Sequence, residues 1–135
     1  MGKLLQYAPV SEAQFKAGPY HPPVVNVGAT LHDECLNKDV TVEGQTEAPI
    51  PWPGRSRGRG RKGQRERLLP VFCGELVRAV VEEDEASVAH YWGVSLYIVN
   101  QWKKAIAGAE NFGEVLVLLN MKRLDPEFRK KWGYQ

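Results

Sequence analysis

The 135-residue chain has little cysteine and methionine, two of each, and no long uninterrupted apolar run. Two cysteines, Cys35 and Cys73, are too few for the disulfide scaffold of a small secreted protein and fit a reduced compartment. Without about 18 consecutive apolar residues, no membrane-spanning helix is expected. The start Met1–Gln6 lacks the apolar core of a signal peptide. We therefore expect a cytoplasmic protein with no membrane partner.

Signatures of catalysis and metal binding are also missing. The glycines between 58 and 63 lie in an arginine tract without Lys-Ser or Lys-Thr, so no nucleotide-binding phosphate loop is indicated. His32 and Cys35 have the spacing of metal ligands, but no second close pair accompanies them, and structural zinc sites usually show two. No set of nucleophile, base and acid is recognisable. We expect neither an enzyme nor a cofactor or metal site.

Positive charge is concentrated in one segment. Residues 55–67 carry seven basic residues against Glu66, whereas the chain on either side is mildly acidic. The segment has no apolar residue, and its Arg-Gly alternation lets the backbone approach a polyanion closely. Arg57-Gly58-Arg59 is similar to AT-hook segments, which enter the minor groove, although Gly60 stands where that motif has proline. The sequence predicts a flexible phosphate-contacting arm with the basic residues Arg55, Arg57, Arg59, Arg61, Lys62, Arg65 and Arg67; a solvated linker is the alternative.

The stretch Ala86–Ala107 predicts two short helices joined by a tight turn. Gly93 can adopt the left-handed conformation that such a turn requires, and Ser95 is a good N-cap for the second helix. Apolar residues recur around the turn at helical spacings of three and four: Val88, Trp92, Val99, Trp102 and Ile106. An amphipathic helix over Glu75–Glu83 would precede the pair and close a three-helix core.

The spacing around Gly93 resembles that of the helix-turn-helix superfamily, including transposase-type DNA-binding domains and bacterial helix-turn-helix proteins. The residues that carry the resemblance are Val88-Ala89, Trp92-Gly93-Val94-Ser95, Val99 and Trp102. It implies that the second helix reads base edges in the major groove while the first crosses the backbone. The side-chain amides of Asn and Gln can hydrogen-bond to the edge of adenine, and the Lys ammonium can contact phosphate. The implied contact residues are Ser95, Tyr97, Asn100, Gln101, Lys103 and Lys104. An ordinary αα-hairpin is the alternative.

The charge of the predicted helical unit opposes this function. Residues 70–108 carry three basic residues against five acidic ones, and the run Glu82–Glu85 begins the helix that would cross the phosphates. We interpret this run as solvated, and like-charge repulsion would lower affinity. The basic arm would then supply much of the attraction.

The flanking regions predict smaller elements. Before residue 54 we expect a small antiparallel β element of two or three strands. Its candidate strands are Val24–Val27, Thr30–Leu36 and Val40–Val42, with a turn at Asn37–Asp39. Gly113–Leu124 is apolar nearly all round if helical, so it must be buried or shared across a dimer. Asp125-Pro126 predicts the start of a last helix that ends near Trp132.

The sequence therefore predicts an α+β fold, mainly α, made of a three-helix helix-turn-helix unit, a small N-terminal antiparallel β element and C-terminal helices. The expected regions are 1–54, the arm 55–69, the helix-turn-helix domain 70–108 and the extension 109–135. We expect sequence-specific binding of duplex DNA, as in a regulator or a mobile-element or phage targeting protein. Two alternatives stay open: a protein-interaction module using helix 113–124, and RNA binding through the Arg-Gly tract. A second copy of the chain is a further candidate partner.

Overall fold

The computed structural model describes residues 20–56 and 68–132. These residues form five α-helices and two small antiparallel sheets, and about 46% of them are helical. The strands are β1 (Thr30–Asp33), β2 (Lys38–Thr41), β3 (Gly44–Gln45), β4 (Pro53–Ser56) and β5 (Leu68–Pro70). The helices are α1 (Glu75–Glu82), α2 (Glu85–Trp92), α3 (Leu96–Ala107), α4 (Val115–Leu124) and α5 (Pro126–Lys131), with a 3-10 turn at Phe112–Glu114. The predicted mixture of helices with a small antiparallel β element is confirmed.

Strands β1 and β2 form a hairpin whose turn differs from the predicted one. The turn occupies residues 34–37 and β2 begins at Lys38, whereas the turn was expected at 37–39. The Asp33 carboxylate accepts hydrogen bonds from the backbone N–H groups of Cys35 and Leu36, both at 2.9 Å. Asn37 then takes the left-handed conformation with φ of 53°, which asparagine tolerates well. The Asp33 side chain thus bends the chain immediately after β1.

The predicted strand at Val24–Val27 is wrong. Within it, Asn26 forms an isolated bridge, and the chain turns at Val27 and Gly28. The backbone N–H of Gly28 donates to the carbonyl of Val42 at 2.7 Å, so the segment closes onto the hairpin without extending it.

The second sheet has the order β3-β4-β5 and extends beyond the predicted N-terminal region. Gly54 lies opposite Gly44 on one side and Pro70 on the other, and Ser56 pairs with Leu68. A Cβ on Gly54 would lie 2.7 Å from the Cβ of Leu68, so the strands approach closely only because this residue is glycine. The basic segment therefore leaves from β4 and returns to β5 of one sheet, and residues 57–67 lie outside the described part of the chain.

One core joins the sheets to the helices. Helix α1 is buried on nearly all sides, because every residue from Leu76 to Val81 is buried. Trp92 of α2 meets Tyr20 and Trp52 edge to face, with ring centroids 5.6 and 5.7 Å apart. Further along, Phe72 stacks on Trp102 of α3 at 5.2 Å. Residues that precede the helices in sequence thus complete the core that the helices share.

Side-chain caps and glycines define the helix ends. Asp84 accepts from the N–H of Ser87, Ser95 from that of Ile98, and Asp125 from that of Glu127. Gly93 and Gly108 end α2 and α3 in the left-handed conformation. The predicted helix starts at Ser95 and at Asp125-Pro126 are confirmed.

The composition of α4 predicted a helix that is either buried or shared across a dimer, and the helix is buried on one side only. Leu119 is buried, while Leu116, Val117, Met121 and Leu124 are exposed. In residues 20–56 and 68–132, every helix is too short or too polar to cross a membrane.

Candidate nucleic-acid interface

The turn between α2 and α3 contacts another part of the chain. Gly93 has φ of 70°, and a Cβ placed on it would lie 2.9 Å from the Cβ of Ala48. Nearby, the backbone N–H of Ile50 donates to the carbonyl of Tyr91 at 2.8 Å. The angle between the two helices is therefore supported by the segment that leads into β4, and glycine is required at the turn for both conformation and space.

The inner sides of α2 and α3 are apolar and closed, as their spacing predicts. Val88, Trp92 and Val99 have no exposed surface, and Trp102 is almost completely buried. Ser95 accepts a hydrogen bond from the N–H of Ile98 at 3.3 Å. Ser95 therefore acts here as the N-cap of α3.

The outer side of α3 brings together four of the predicted contact residues. These residues lie on one face of the helix, because they are spaced three, one and three positions apart: Tyr97, Asn100, Gln101 and Lys104. Tyr97 is 68% exposed, and the other three are half-buried. Helix α3 has no acidic residue. This face offers an aromatic ring, two amides and one cation to a partner.

The two lysines of α3 have different surroundings. The Lys103 ammonium lies 3.4 Å from a carboxylate oxygen of Glu85, and its side chain is only 15% exposed. This ion pair links α3 to α2. The Lys104 ammonium lies 5.1 Å from the centre of the Phe112 ring, in a cation–π contact. Lys104 therefore shares the outer side with the other candidate residues, whereas Lys103 faces α2.

The acidic run before α2 is solvated only in part, since Asp84 and Glu85 are exposed as predicted but Glu83 is not. Glu83 is 5% exposed and accepts a 2.6 Å hydrogen bond from the Tyr20 hydroxyl. Burial, together with this bond, holds the pKa of Tyr20 above its usual value, so the phenol stays a proton donor. The Arg78 guanidinium stacks over the Tyr20 ring at 4.6 Å. Glu83 is thus part of the core.

The other acids of the run also have partners within the fold. Glu82 lies 3.5 Å from Nε of Arg123, Glu85 pairs with Lys103, and Asp84 caps α2. Each carboxylate therefore has a structural contact. The repulsion expected from an unpaired acidic cluster is reduced, because cations of the same molecule neutralise part of it.

Arg55 differs from the flexible arm residue that the sequence predicted. It belongs to β4, its side chain is 19% exposed, and Nε lies 3.4 Å from the Asp33 carboxylate. Asp33 also accepts a hydrogen bond from the N–H of Phe72 at 3.1 Å. Sequence reasoning missed this pair because the two residues lie 22 positions apart. The other predicted arm residues lie outside the described residues: Arg57, Arg59, Arg61, Lys62, Arg65 and Arg67.

The residues weighed as metal ligands are held by other contacts. The two ring nitrogens of His32 lie 3.1 Å from Asp39 and 3.2 Å from Asn37, and the hydrogen bond to Asp39 is the main cause that raises its pKa. Burial raises the pKa of the Cys35 thiol, and that of Cys73 to about 12. Within 20–56 and 68–132, no three His, Cys, Asp or Glu side chains form a group that could hold a metal ion.

Comparison of the chain with protein-family models, with curated proteins and with solved structures gives no match.

Proposed function

We propose that the protein binds duplex DNA sequence-specifically, with α2, the Gly93 turn and α3 acting as a helix-turn-helix. The observation that carries the proposal is the outer face of α3, which presents Tyr97, Asn100, Gln101 and Lys104 without any acidic side chain. The helix is also rigidly supported, since its inner side is buried and its N-terminus is capped. A rigid helix with a polar, acid-free outer face suits the major groove.

The chemistry of this face assigns a role to each residue. The side-chain amides of Asn100 and Gln101 can each both donate to and accept from an adenine edge. Tyr97, the most exposed of the four, offers a ring to a thymine methyl group and a hydroxyl to phosphate. Lys104 serves as a phosphate contact. Lys103 is not assigned to DNA, because Glu85 already neutralises it.

The basic segment contributes the non-specific part of the affinity. The segment connects two neighbouring strands, β4 and β5, and its sequence between them contains six basic residues. Neutralising about six phosphates predicts a slope of roughly −5 in a plot of log affinity against log salt concentration. Arg55 is left out of this group because it pairs with Asp33.

Enrichment of binding sites from a random duplex library tests the proposal. Asn100→Ala should lose about 1–3 kcal/mol of discrimination at one base pair and little affinity for unrelated DNA. Replacing the six basic residues of 57–67 by Gln should lower the affinity for all DNA sequences alike. It should also reduce the magnitude of the slope of log affinity against log salt concentration. Replacing Arg129, Lys130 and Lys131 of α5 by Gln tests the other basic cluster of the sequence, which is either a second phosphate patch or a solvated end.

The same assay separates the alternatives. If no sequence is enriched, or if Asn100→Ala lowers the affinity for every duplex equally, α3 does not read bases. Binding of single-stranded RNA in preference to duplex DNA, lost with the six basic residues but not with Asn100→Ala, would assign the segment to RNA instead.

A further inference from the structure

Helix α4 presents an apolar face to solvent. Leu116 is 70% and Leu124 78% exposed, and both Val117 and Met121 are 63% exposed. These residues lie opposite Leu119, which faces the core. Exposed apolar residues clustered on one side of a helix mark an interaction surface more often than an ordinary solvated one. This surface is separate from the outer face of α3.

The exposed face of α4 carries a stripe of three residues spaced four positions apart. Asn120 lies in the middle and is exposed, with Leu116 four residues before it and Leu124 four residues after it. Two such helices in antiparallel contact would place Leu116 of one copy against Leu124 of the other. A face with this arrangement complements itself, as a two-fold interface requires.

The size of the face agrees with a dimer of modest affinity. The four exposed apolar side chains offer on the order of 500 Å² of surface, against about 800 Å² buried per partner in a standard interface. Exposed polar residues of the neighbouring helix α5, such as Glu127 and Lys130, would form the rim. Association in the micromolar range or weaker is the expectation for such an area.

We propose that α4 is a homodimer interface in which two copies pack antiparallel across a two-fold axis near Asn120. The amides of the two Asn120 residues would then face each other and hydrogen-bond, and this polar contact would fix the register of an otherwise apolar seam. This proposal does not depend on DNA binding and is tested without nucleic acid. The dimer proposal and the DNA-binding proposal can therefore fail independently.

Sedimentation equilibrium of the full chain measures the association. With rising concentration, the wild-type mass should increase from 15.2 kDa towards twice that value. Val117→Glu should weaken dimerisation about 100-fold or more, because it places like charges in the seam, and leave the melting temperature of the monomer unchanged. Val24→Glu, at a position that is 75% exposed and outside α4, should still dimerise.

Three results of that experiment would overturn the proposal. The first is a wild-type chain that stays monomeric up to about 1 mM. The second is a Val24→Glu variant whose dimerisation is weakened as much as that of Val117→Glu. The third is a lower melting temperature for the Val117→Glu monomer, since another segment of the same chain, such as residues 1–19, would then cover the face.

Cross-linking tests the two-fold axis. Asn120→Cys should form a disulfide-linked dimer on mild oxidation, since its two copies would come within the roughly 4 Å between Cβ atoms that a disulfide needs. Asn111→Cys, which is also exposed but precedes the helix, is the matched control. The wild-type chain controls for Cys35 and Cys73. If Asn120→Cys cross-links no faster than Asn111→Cys, the proposed antiparallel geometry is wrong.

Discussion

The carboxylate of Asp33 is 1% exposed and joins three parts of the fold. It accepts from the N–H groups that follow it in the β-hairpin turn and from the N–H of Phe72, which leads into the helices. It also lies 3.4 Å from the Arg55 guanidinium of β4. A buried carboxylate with several donors is stabilising because each donor replaces water that burial removed.

Asp33→Ala should destabilise the protein by about 3–5 kcal/mol, because it leaves the Arg55 guanidinium and three backbone donors without their acceptor. Asp39→Ala on the same hairpin, where the side chain is 69% exposed, should cost less than about 1 kcal/mol. Urea denaturation followed by circular dichroism measures both. Equal costs for the two variants would show that Asp33 is not a structural centre.

Gly93 and Gly108 provide a matched pair, because each has φ of 70° but only Gly93 has a close neighbour. Gly108→Ala should cost about 1 kcal/mol from backbone strain alone. Gly93→Ala should cost about 2–4 kcal/mol, because its methyl group also meets Ala48. Adding Ala48→Gly should recover the difference. Thermal denaturation is the measurement, and a failure of this rescue would contradict the contact that fixes the turn.

His32 should make the stability depend on pH. Its pKa is raised by the hydrogen bond with Asp39 and by the charge of Glu34, so the folded state binds the proton more tightly than the unfolded state. The resulting stabilisation is fully present below the unfolded pKa of about 6.5 and is lost as pH rises through the higher folded pKa. His32→Gln should lack this loss. An NMR titration that gave the folded His32 a pKa at or below 6.5 would contradict the assignment.

Among the elements, the helices could be predicted from the sequence better than the strands. Ser95, Gly93 and Asp125-Pro126 determine helix ends through contacts with residues at most four positions away, so a local sequence contains the information. Strand β4 contains Pro53 and Gly54, which disfavour strands, and forms because β3 and β5 pair with it from distant positions. Its pairing, like the bond between Asp33 and Phe72, cannot be read from neighbouring residues.

The two sides of α3 predict opposite behaviour for adjacent lysines. Lys104→Ala should reduce the affinity for random duplex DNA and lower the magnitude of the salt slope by about 1. Lys103→Ala should leave the slope unchanged and instead cost up to about 1 kcal/mol of stability through the lost contact with Glu85. Fluorescence anisotropy at several salt concentrations compares them. A larger loss of binding for Lys103→Ala would mean that the pair with Glu85 opens on DNA.

At the scale of the whole molecule, acidic and basic residues have different surroundings. Acids near the helices contact Tyr20, Arg123 and Lys103 within the fold, while the basic segment leaves from a sheet. Composition could locate the basic segment and the candidate face of α3, because both depend on local patterns. It could not show that Arg55 is paired or that Lys103 faces α2, because those roles depend on which residues folding brings together.

The central claim is that the outer face of α3 contacts duplex DNA. A titration of the ¹⁵N-labelled full chain with an enriched duplex, followed by amide NMR, tests it residue by residue. We predict the largest shift changes at Tyr97, Asn100, Gln101 and Lys104, and little change at Val117 and Met121 of α4. Changes confined to α4, or none on α3 while the duplex is bound, would contradict the account.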